Sequence, residues 1–373
     1  MSAPLRVCVD ATALVKRPTG VGNYTRALLA PMCRAHPEAD FILLSNEEVF
    51  FDDLPNVRTR HSHPKRRGPH WQNTHLRIML AEERPDVFWA ANGLLPLTRP
   101  RGMATVITIN DLVYRFAPET MPFVSRWGRR LGQRHSVAVA DRILTISQAT
   151  ADDMVRYYGR SADVLLPPLA DPSLHRPDAA AIAEVLQRLN LTQPYLFVLG
   201  TLEPRKNIVQ LIDAYLNRRK AGVELPQLAI AGGKGWLDSD IAERLSEGEA
   251  HGLVRRLGYV DLADLPALFA GCHVFLMPSL YEGFGMPLLE AQVCGAPVVH
   301  GPHASMHEAA GQLGVQTPTD RDGIERMLDQ LAAGELPLAC RLPNDIRNDH
   351  EGMAAQLWSL MMDARARPGR LAR

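Results

Sequence analysis

Two glutamates eight residues apart frame the most chemically suggestive stretch of the chain, Ser279-Leu-Tyr-Glu282-Gly283-Phe284-Gly285-Met286-Pro287-Leu-Leu-Glu290-Ala-Gln-Val-Cys-Gly295. The apolar run ahead of it, from Val274 to Met277, has strand length and ends in a turn signal at Pro278 and Ser279. Pro287 suits the first turn of a helix and Gly295 its stop, so Glu282 falls in the loop and Glu290 on the helix. Unpaired N–H groups of residues 283–286, together with the positive end of the helix dipole, favour phosphate oxygens. An ionised carboxylate only accepts hydrogen bonds, so Glu282 is suited to a sugar hydroxyl and Glu290 to a diol such as that of ribose. A plainer reading stands beside this one: two Glu at this spacing occur without a function, and a carboxylate near a helix start is favoured electrostatically.

Upstream, the apolar run Tyr195-Leu-Phe-Val-Leu-Gly200 reads as a buried parallel strand. It breaks into Thr201-Leu-Glu-Pro204-Arg205-Lys206-Asn207, after which Ile208, Leu211, Ile212 and Tyr215 recur at helical spacing. Two adjacent cations on a strand-to-helix loop can face a diphosphate, Arg205 as a fork and Lys206 as a point charge. By themselves they also fit a solvated basic loop.

Together, Gly200-Thr-Leu-Glu-Pro-Arg-Lys-Asn207 and Tyr281-Glu-Gly-Phe-Gly-Met-Pro-Leu-Leu-Glu290, continued by Gly295, Pro297, Val298 and Val299, resemble the retaining glycosyltransferases of family 4. The resemblance implies the GT-B fold: an α/β protein of two doubly wound Rossmann-like domains with the active site in the cleft between them. It extends over most of the chain. Val7-Cys-Val-Asp10 followed by Pro18-Thr-Gly20-Val-Gly22-Asn-Tyr24 is similar to the family's N-terminal glycine loop, where Gly20 and Gly22 let backbone approach the donor diphosphate; an ordinary turn is the alternative. Thr105-Val-Ile-Thr-Ile-Asn110-Asp111-Leu112 resembles the strand end that usually reads His-Asp-Leu, with Asn110 in place of the His. An amide keeps a donor and an acceptor but does not titrate, so a role that needs imidazole basicity is in doubt. Ser147, after Asp141-Arg-Ile-Leu-Thr-Ile, matches a serine near the family's acceptor side and equally suits a helix cap. Many members carry Arg directly after the glycine matching Gly200, where this chain has Thr201. Bacterial O-antigen and exopolysaccharide mannosyltransferases share this look.

A length of 373 residues is long for one core, and 46% apolar with 22% charged residues is globular rather than disordered. We expect an N-terminal acceptor-side domain over 1–170, a nucleotide-sugar domain over 171–348, and a C-terminal helix with tail over 349–373 that crosses back to the N-terminal domain as the family implies. Pro167, Pro168 and Pro172 mark the linker. Five cysteines with no close Cys-x-x-Cys pair suggest neither a disulfide framework nor a zinc site. His61, His63, His70 and His75 share one polar segment without a ligand pattern and read as surface residues. No early run forms a signal peptide and none is long enough to span a bilayer, so a cytoplasmic protein is expected.

Zero net charge hides an asymmetry. Residues 1–170 carry 22 Lys and Arg against 16 Asp and Glu, and the remainder 19 against 25. Cations gather at 58–67, with Trp71 beyond, and at Arg126, Arg129, Arg130 and Arg134, after Phe123 and around Trp127. Apolar residues beside such clusters suit an anionic membrane surface, and a solvated basic face is the alternative. Nothing points to nucleic acid.

The resemblance implies a metal-independent, retaining hexosyl transfer: Lys206, Arg205 and the helix start near Gly285 stabilise the departing diphosphate, and Glu282 orients the sugar. Donor contacts are expected from Gly20, Gly22, Gly283, Phe284, Gly285, Met286 and Glu290, and from Tyr259 and Val260 at the base. Asn110, Asp111 and Ser147 are placed on the sugar and acceptor side. No convincingly placed Asp-x-Asp metal pair and no cofactor are expected. GDP-mannose is the favoured donor, and a glycan, plausibly carried on a polyprenyl diphosphate at the inner membrane face, the acceptor. A GT-B sugar-nucleotide epimerase, converting free donor without acceptor, and a non-catalytic nucleotide-sugar binder are the alternatives. A glycoside hydrolase would use two carboxylates but has no use for a diphosphate cradle.

Overall fold

The computed structural model describes residues 4–62, 68–233, 239–340 and 349–367. The chain divides into two compact units, one of Met1–Arg115, Phe123–Leu169 and Asp349–Arg373, the other of Phe116–Pro122 and Ala170–Asn348. Each is built around one parallel sheet.

In the first unit the strands are β1 Arg6–Asp10, β2 Asp40–Ser45, β3 Val57–His61, β4 Val87–Ala90, β5 Ala104–Ile109, β6 Arg142–Thr145 and β7 Val164–Leu165. They lie in the order β3-β2-β1-β4-β5-β6-β7, and each neighbouring pair is parallel. The second sheet comprises β8 Tyr195–Leu199, β9 Gln227–Ala231, β10 Val254–Gly258, β11 Val274–Met277, β12 Val298–His300 and β13 Val315–Gln316, ordered β10-β9-β8-β11-β12-β13. Central strands covered on both faces must be apolar throughout. Accordingly, every residue of β4, β5 and β11 is buried. The α/β doubly wound class expected from the alternating strand, loop and helix pattern is the class observed.

The order of strands reverses between β1 and β4 in one sheet and between β8 and β11 in the other. At such a point the loops leaving two adjacent strands diverge to opposite faces, opening a crevice beyond the carboxyl ends. Residues 200–207 follow β8 and residues 278–285 follow β11, so both chemically suggestive loops border the second unit's crevice.

Beneath it, Phe197, Phe269 and Phe275 pack edge to face with centroids 5.2–5.9 Å apart, and all three are wholly buried. Each such ring contributes roughly 2–3 kcal/mol by leaving water, which gives the loops above a rigid base. In the first unit the helix His350–Ala366 packs on the helix Gly20–Ala35 and on β5. Its Asp363 receives Arg142 at 2.6 Å, and Trp358 stacks on His36 at 3.8 Å rather than sitting fully in the core. Cys8, Cys33, Cys272 and Cys294 are buried free thiols, whereas Cys340 is exposed.

Candidate functional site

Prolines and glycines shape the loop after β8. Pro204 opens a single 3-10 turn, Pro204–Lys206, which ends at Asn207 in the left-handed region (φ 58°), and the helix Ile208–Lys220 follows. The Asn207 amide donates to the Thr319 carbonyl at 2.7 Å, fastening this corner. Gly200 lacks a side chain where one is least welcome: a Cβ there would stand 3.1 Å from Cε of Lys206. The absent side chain is what lets the lysine fold back over the strand end.

The loop after β11 is laced to this corner. Leu280 N–H donates to the Arg205 carbonyl at 2.9 Å, and the Arg205 guanidinium donates to the Tyr281 carbonyl at 2.9 Å. Ser305 Oγ donates to the Glu282 carbonyl at 2.6 Å from the helix Ala304–Ala310. Gly285 then takes φ 105°, a left-handed conformation that a side chain would strain, and the helix Met286–Val293 begins with Pro287 in its first turn.

At the centre lies Glu282, 7% exposed. Lys206 Nζ donates to its Oε1 at 2.8 Å, and Arg205 pairs with its Oε2. Arg205 also pairs with the buried Glu203 through its other terminal nitrogen. Burial pushes the Glu282 carboxyl up, but Arg205 and Lys206 together outweigh it and hold the group down at about 2. Both cations expected to face a diphosphate are paired with Glu282 in the structure.

Glu290 behaves in the opposite way. Burial, reinforced by the charge of Asp171, pushes it up to about 7 despite Lys206 nearby. Near neutral pH this carboxyl stands ready to take or lose a proton. Residues 283–286 present their backbone between the two glutamates; the Phe284 ring is buried and packs rather than facing outward. Tyr259 and Val260 follow β10 at the far edge of the sheet, Tyr259 half exposed and Val260 partly so. They are not part of the ion-paired cluster.

The remaining expected residues lie in the first unit. Gly20 and Gly22 lie in the first turn of the helix Gly20–Ala35, and a Cβ on Gly22 would come within 2.3 Å of the Ala13 carbonyl. Gly22 therefore serves the packing of the loop after β1 on its own helix. Asn110, buried, donates to the Ala91 carbonyl at 3.0 Å, bridging the ends of β5 and β4. Asp111 accepts from Val113 N–H at 3.2 Å. Ser147 Oγ accepts from Thr150 N–H at 3.0 Å and caps the helix Gln148–Tyr158.

Several participants escaped sequence reasoning. Glu203 sits inside the quoted motif, yet only its burial shows that it braces Arg205. Ser305 and His303 follow Gly301-Pro302, a turn signal at the end of β12 that marks the same crevice edge. The His303 ring lies 4.3 Å from that of Tyr281, which in turn stacks on Phe116 at 5.7 Å.

Of the first basic cluster, only Arg58 and Arg60 fall among the described residues, and both are ion-paired, with Glu83 and Glu82. Trp71 is buried with its indole N–H on Ser62 Oγ at 2.7 Å. Lys65, Arg66, Arg67 and His63 lie outside the described residues. The second cluster does face solvent. On the helix Phe123–Val139, Phe123, Trp127 and Leu131 are exposed at intervals of four residues, with Arg126 over the Phe123 ring and Arg130 over Trp127.

Two doubly wound parallel sheets, with a charged, glycine-turned crevice at the second switch point, define the GT-B class of glycosyltransferase. Comparison with known sequences agrees. Residues 184–341 match the family described as "Glycosyl transferases group 1" and residues 18–172 the one described as "Glycosyltransferase Family 4". The chain is 32% identical over 339 residues to "O-antigen chain mannosyltransferase B" of Escherichia coli, covering 85% of this chain and 88% of that protein. It is also 32% identical over 230 residues to the "GDP-mannose-dependent alpha-(1-6)-phosphatidylinositol monomannoside mannosyltransferase" of Mycolicibacterium smegmatis, covering 59% of this chain and 58% of that protein. The structure of Anabaena Alr3699/HepE in complex with UDP and glucose superposes with a TM-score of 0.67 at 18% identity, covering 96% of this chain and 98% of that one. The chain belongs to glycosyltransferase family 4.

Proposed function

We propose that this glycosyltransferase moves mannose from GDP-mannose to a lipid-linked glycan acceptor, with retention and without a metal ion, in the assembly of a bacterial surface polysaccharide. The observation that carries the reading is the knot of Lys206, Arg205 and Glu282 beneath residues 283–286. A carboxylate saturated by two cations and held near 2 is a poor nucleophile, which favours a positioning role over a covalent intermediate. A bound nucleotide diphosphate would compete for the same cations, Lys206 first, and leave Glu282 to accept sugar hydroxyls. Charge leaving with the diphosphate is then stabilised by Lys206 and by the start of the helix Met286–Val293. A diphosphate oxygen would take the proton of the attacking hydroxyl on the face that the leaving group vacates. Glu290, accepting from a ribose diol, would hold the nucleoside.

Mannose and GDP rest on the named activities of the Escherichia coli and Mycolicibacterium proteins. Nucleotide and sugar in the Anabaena complex are consistent with a nucleotide-sugar donor on this fold. A membrane-facing acceptor rests on the helix Phe123–Val139. Among the described residues no helix is long and apolar enough to cross a membrane, so contact would be peripheral. Each arginine near an anionic surface adds about 1 kcal/mol, and the exposed Phe123, Trp127 and Leu131 enter the headgroup layer.

The test is a transfer assay with GDP-mannose, UDP-glucose and ADP-glucose on a short polyprenyl-diphosphate oligosaccharide, read by mass and by the anomeric coupling of the product, with and without EDTA. Product from GDP-mannose alone, α-configured and unaffected by EDTA, is the expected result. Conversion of free donor without acceptor would replace this reading with an epimerase, and transfer abolished by EDTA would remove the metal-free mechanism. Phosphatidylglycerol vesicles should retain the protein, and Trp127→Ala with Leu131→Ala should release it.

A further inference from the structure

We propose a second anion-binding site in the first unit, at the opposite end of the sheet from the strand ends that carry Asn110 and Ser147. Arg77, Arg84, Arg99 and Arg101 line an open cavity of about 560 Å³ together with Pro85, Asp86 and Pro100. Residues 84–86 immediately precede β4 and residues 98–102 immediately precede β5. The cavity therefore lies at the amino ends of two strands, roughly 13–20 Å along the sheet from their carboxyl ends.

Four guanidinium groups around one cavity repel each other unless something neutralises them. Among the described residues the nearby carboxylates, Asp86 in the cavity wall included, have other cationic or N–H partners. Glu82 and Glu83 are committed to Arg60 and Arg58, and Asp86 pairs with Arg365 at 3.2 Å and accepts from Arg6 N–H at 2.9 Å. The side chains of Arg77, Arg84 and Arg101 have no hydrogen-bond or ion-pair partner among the described residues. Arg99 differs, because it donates to Thr105 Oγ at 2.8 Å, and Thr105, wholly buried, is tied in turn to Asp141 at 2.7 Å. One guanidinium is thus fixed in place with donors to spare, and the exposed Arg77, Arg84 and Arg101 line the same cavity. Their backbones are set rather than loose: Arg84 takes the left-handed conformation (φ 48°) between a helix end and Pro85, and Gly102 (φ 80°) turns the chain after Pro100 and Arg101.

The volume lies in the range of small-molecule sites. Forked donors converging on a concave surface suit tetrahedral, multiply charged oxyanions. The ligand class is accordingly a phosphate-bearing anion, either a soluble phosphorylated compound or a phospholipid headgroup. This site is independent of the donor crevice, shares no residue with it, and does not rest on the transfer reaction proposed above.

Isothermal titration of the full chain with inorganic pyrophosphate tests it. Arg77→Ala combined with Arg101→Ala should weaken one binding component at least tenfold, while Lys206→Ala leaves that component intact. Among the described residues neither exposed arginine side chain has a partner, so the double variant should fold with an unchanged or higher Tm in the absence of anion. Cosedimentation with phosphatidylglycerol vesicles forms the second arm. Loss of pyrophosphate binding with vesicle binding retained assigns a soluble ligand, and loss of both assigns a headgroup. Equal binding by wild type and double variant in both arms would overturn the site.

Discussion

At the switch point of the second sheet, the buried Glu203 and Glu282 and the half-buried Arg205 and Lys206 are gathered into one ion-paired knot. The corresponding ends of the first sheet are occupied by Thr12, Asn110 and Ser147, neutral groups each satisfied locally, with Asp10 pushed up to about 6 by burial. The same strand, loop and helix unit thus serves two electrostatic purposes. A knot of buried charges stores strong, mutually dependent interactions that fail when one member is removed. Isolated hydrogen bonds of the other kind fail singly and gently.

That contrast is broken most directly at Glu282. Glu282→Ala should leave the half-buried Lys206 without its carboxylate and Arg205 with Glu203 alone, costing about 3 kcal/mol of stability. Transfer should fall by about 10²–10³-fold. Melting curves and turnover measure both, and unchanged turnover would take Glu282 out of the mechanism. The folded carboxyl is depressed from its usual 4.5 to about 2. Its contribution to stability is therefore complete above the unfolded value and lost as pH falls toward 2.

Glu290 sharpens the comparison through the opposite sign. Raised to about 7, its carboxyl favours folding below its usual 4.5, and that contribution is lost as pH rises through neutrality. A diol needs the ionised form as acceptor, so GDP affinity should fall as pH drops below 7, approaching tenfold per unit. Glu290→Gln should flatten that profile in a titration series from pH 5.5 to 8.5; an unchanged slope would assign the proton to another group.

On the first sheet, Asn110→Ala leaves the Ala91 carbonyl without its donor, a loss of about 1 kcal/mol. We expect transfer to drop roughly tenfold with nucleotide affinity unchanged, read as kcat against Kd. Smallest is Ser147→Ala, which removes a helix cap worth about 1 kcal/mol. The Tm should fall by a few degrees with kcat unaltered, and a fall in kcat at constant Tm would give Ser147 a role with the acceptor.

Legibility followed the range of the interaction. The apolar runs from Tyr195 and Val274, and the glycines and prolines that end them, describe two strands and two loops by local rules, and the structure has β8 and β11 there. Glu282 and Glu290 were likewise visible as carboxylates about a turn. Their opposite protonation behaviour was not, because it depends on Asp171, Arg205 and Lys206, brought alongside from distant positions. Trp71 misled: it follows a basic run, but its fate as a core residue bonded to Ser62 depends on a neighbouring strand.

Residue spacing alone pointed to the doubly wound class and the two loops, since periodicity and turn chemistry act within a few residues, and the family was legible through the resemblance of its motifs. Only the tertiary structure decided that Lys206 and Arg205 meet Glu282 and that Glu290 lies near neutrality. It also decided that Arg58 is spent on Glu83, whereas Arg77 and Arg101 have no ionic partner among the described residues. The reason is that an ionic partner is chosen by distance and burial, and both are set by which strands lie side by side.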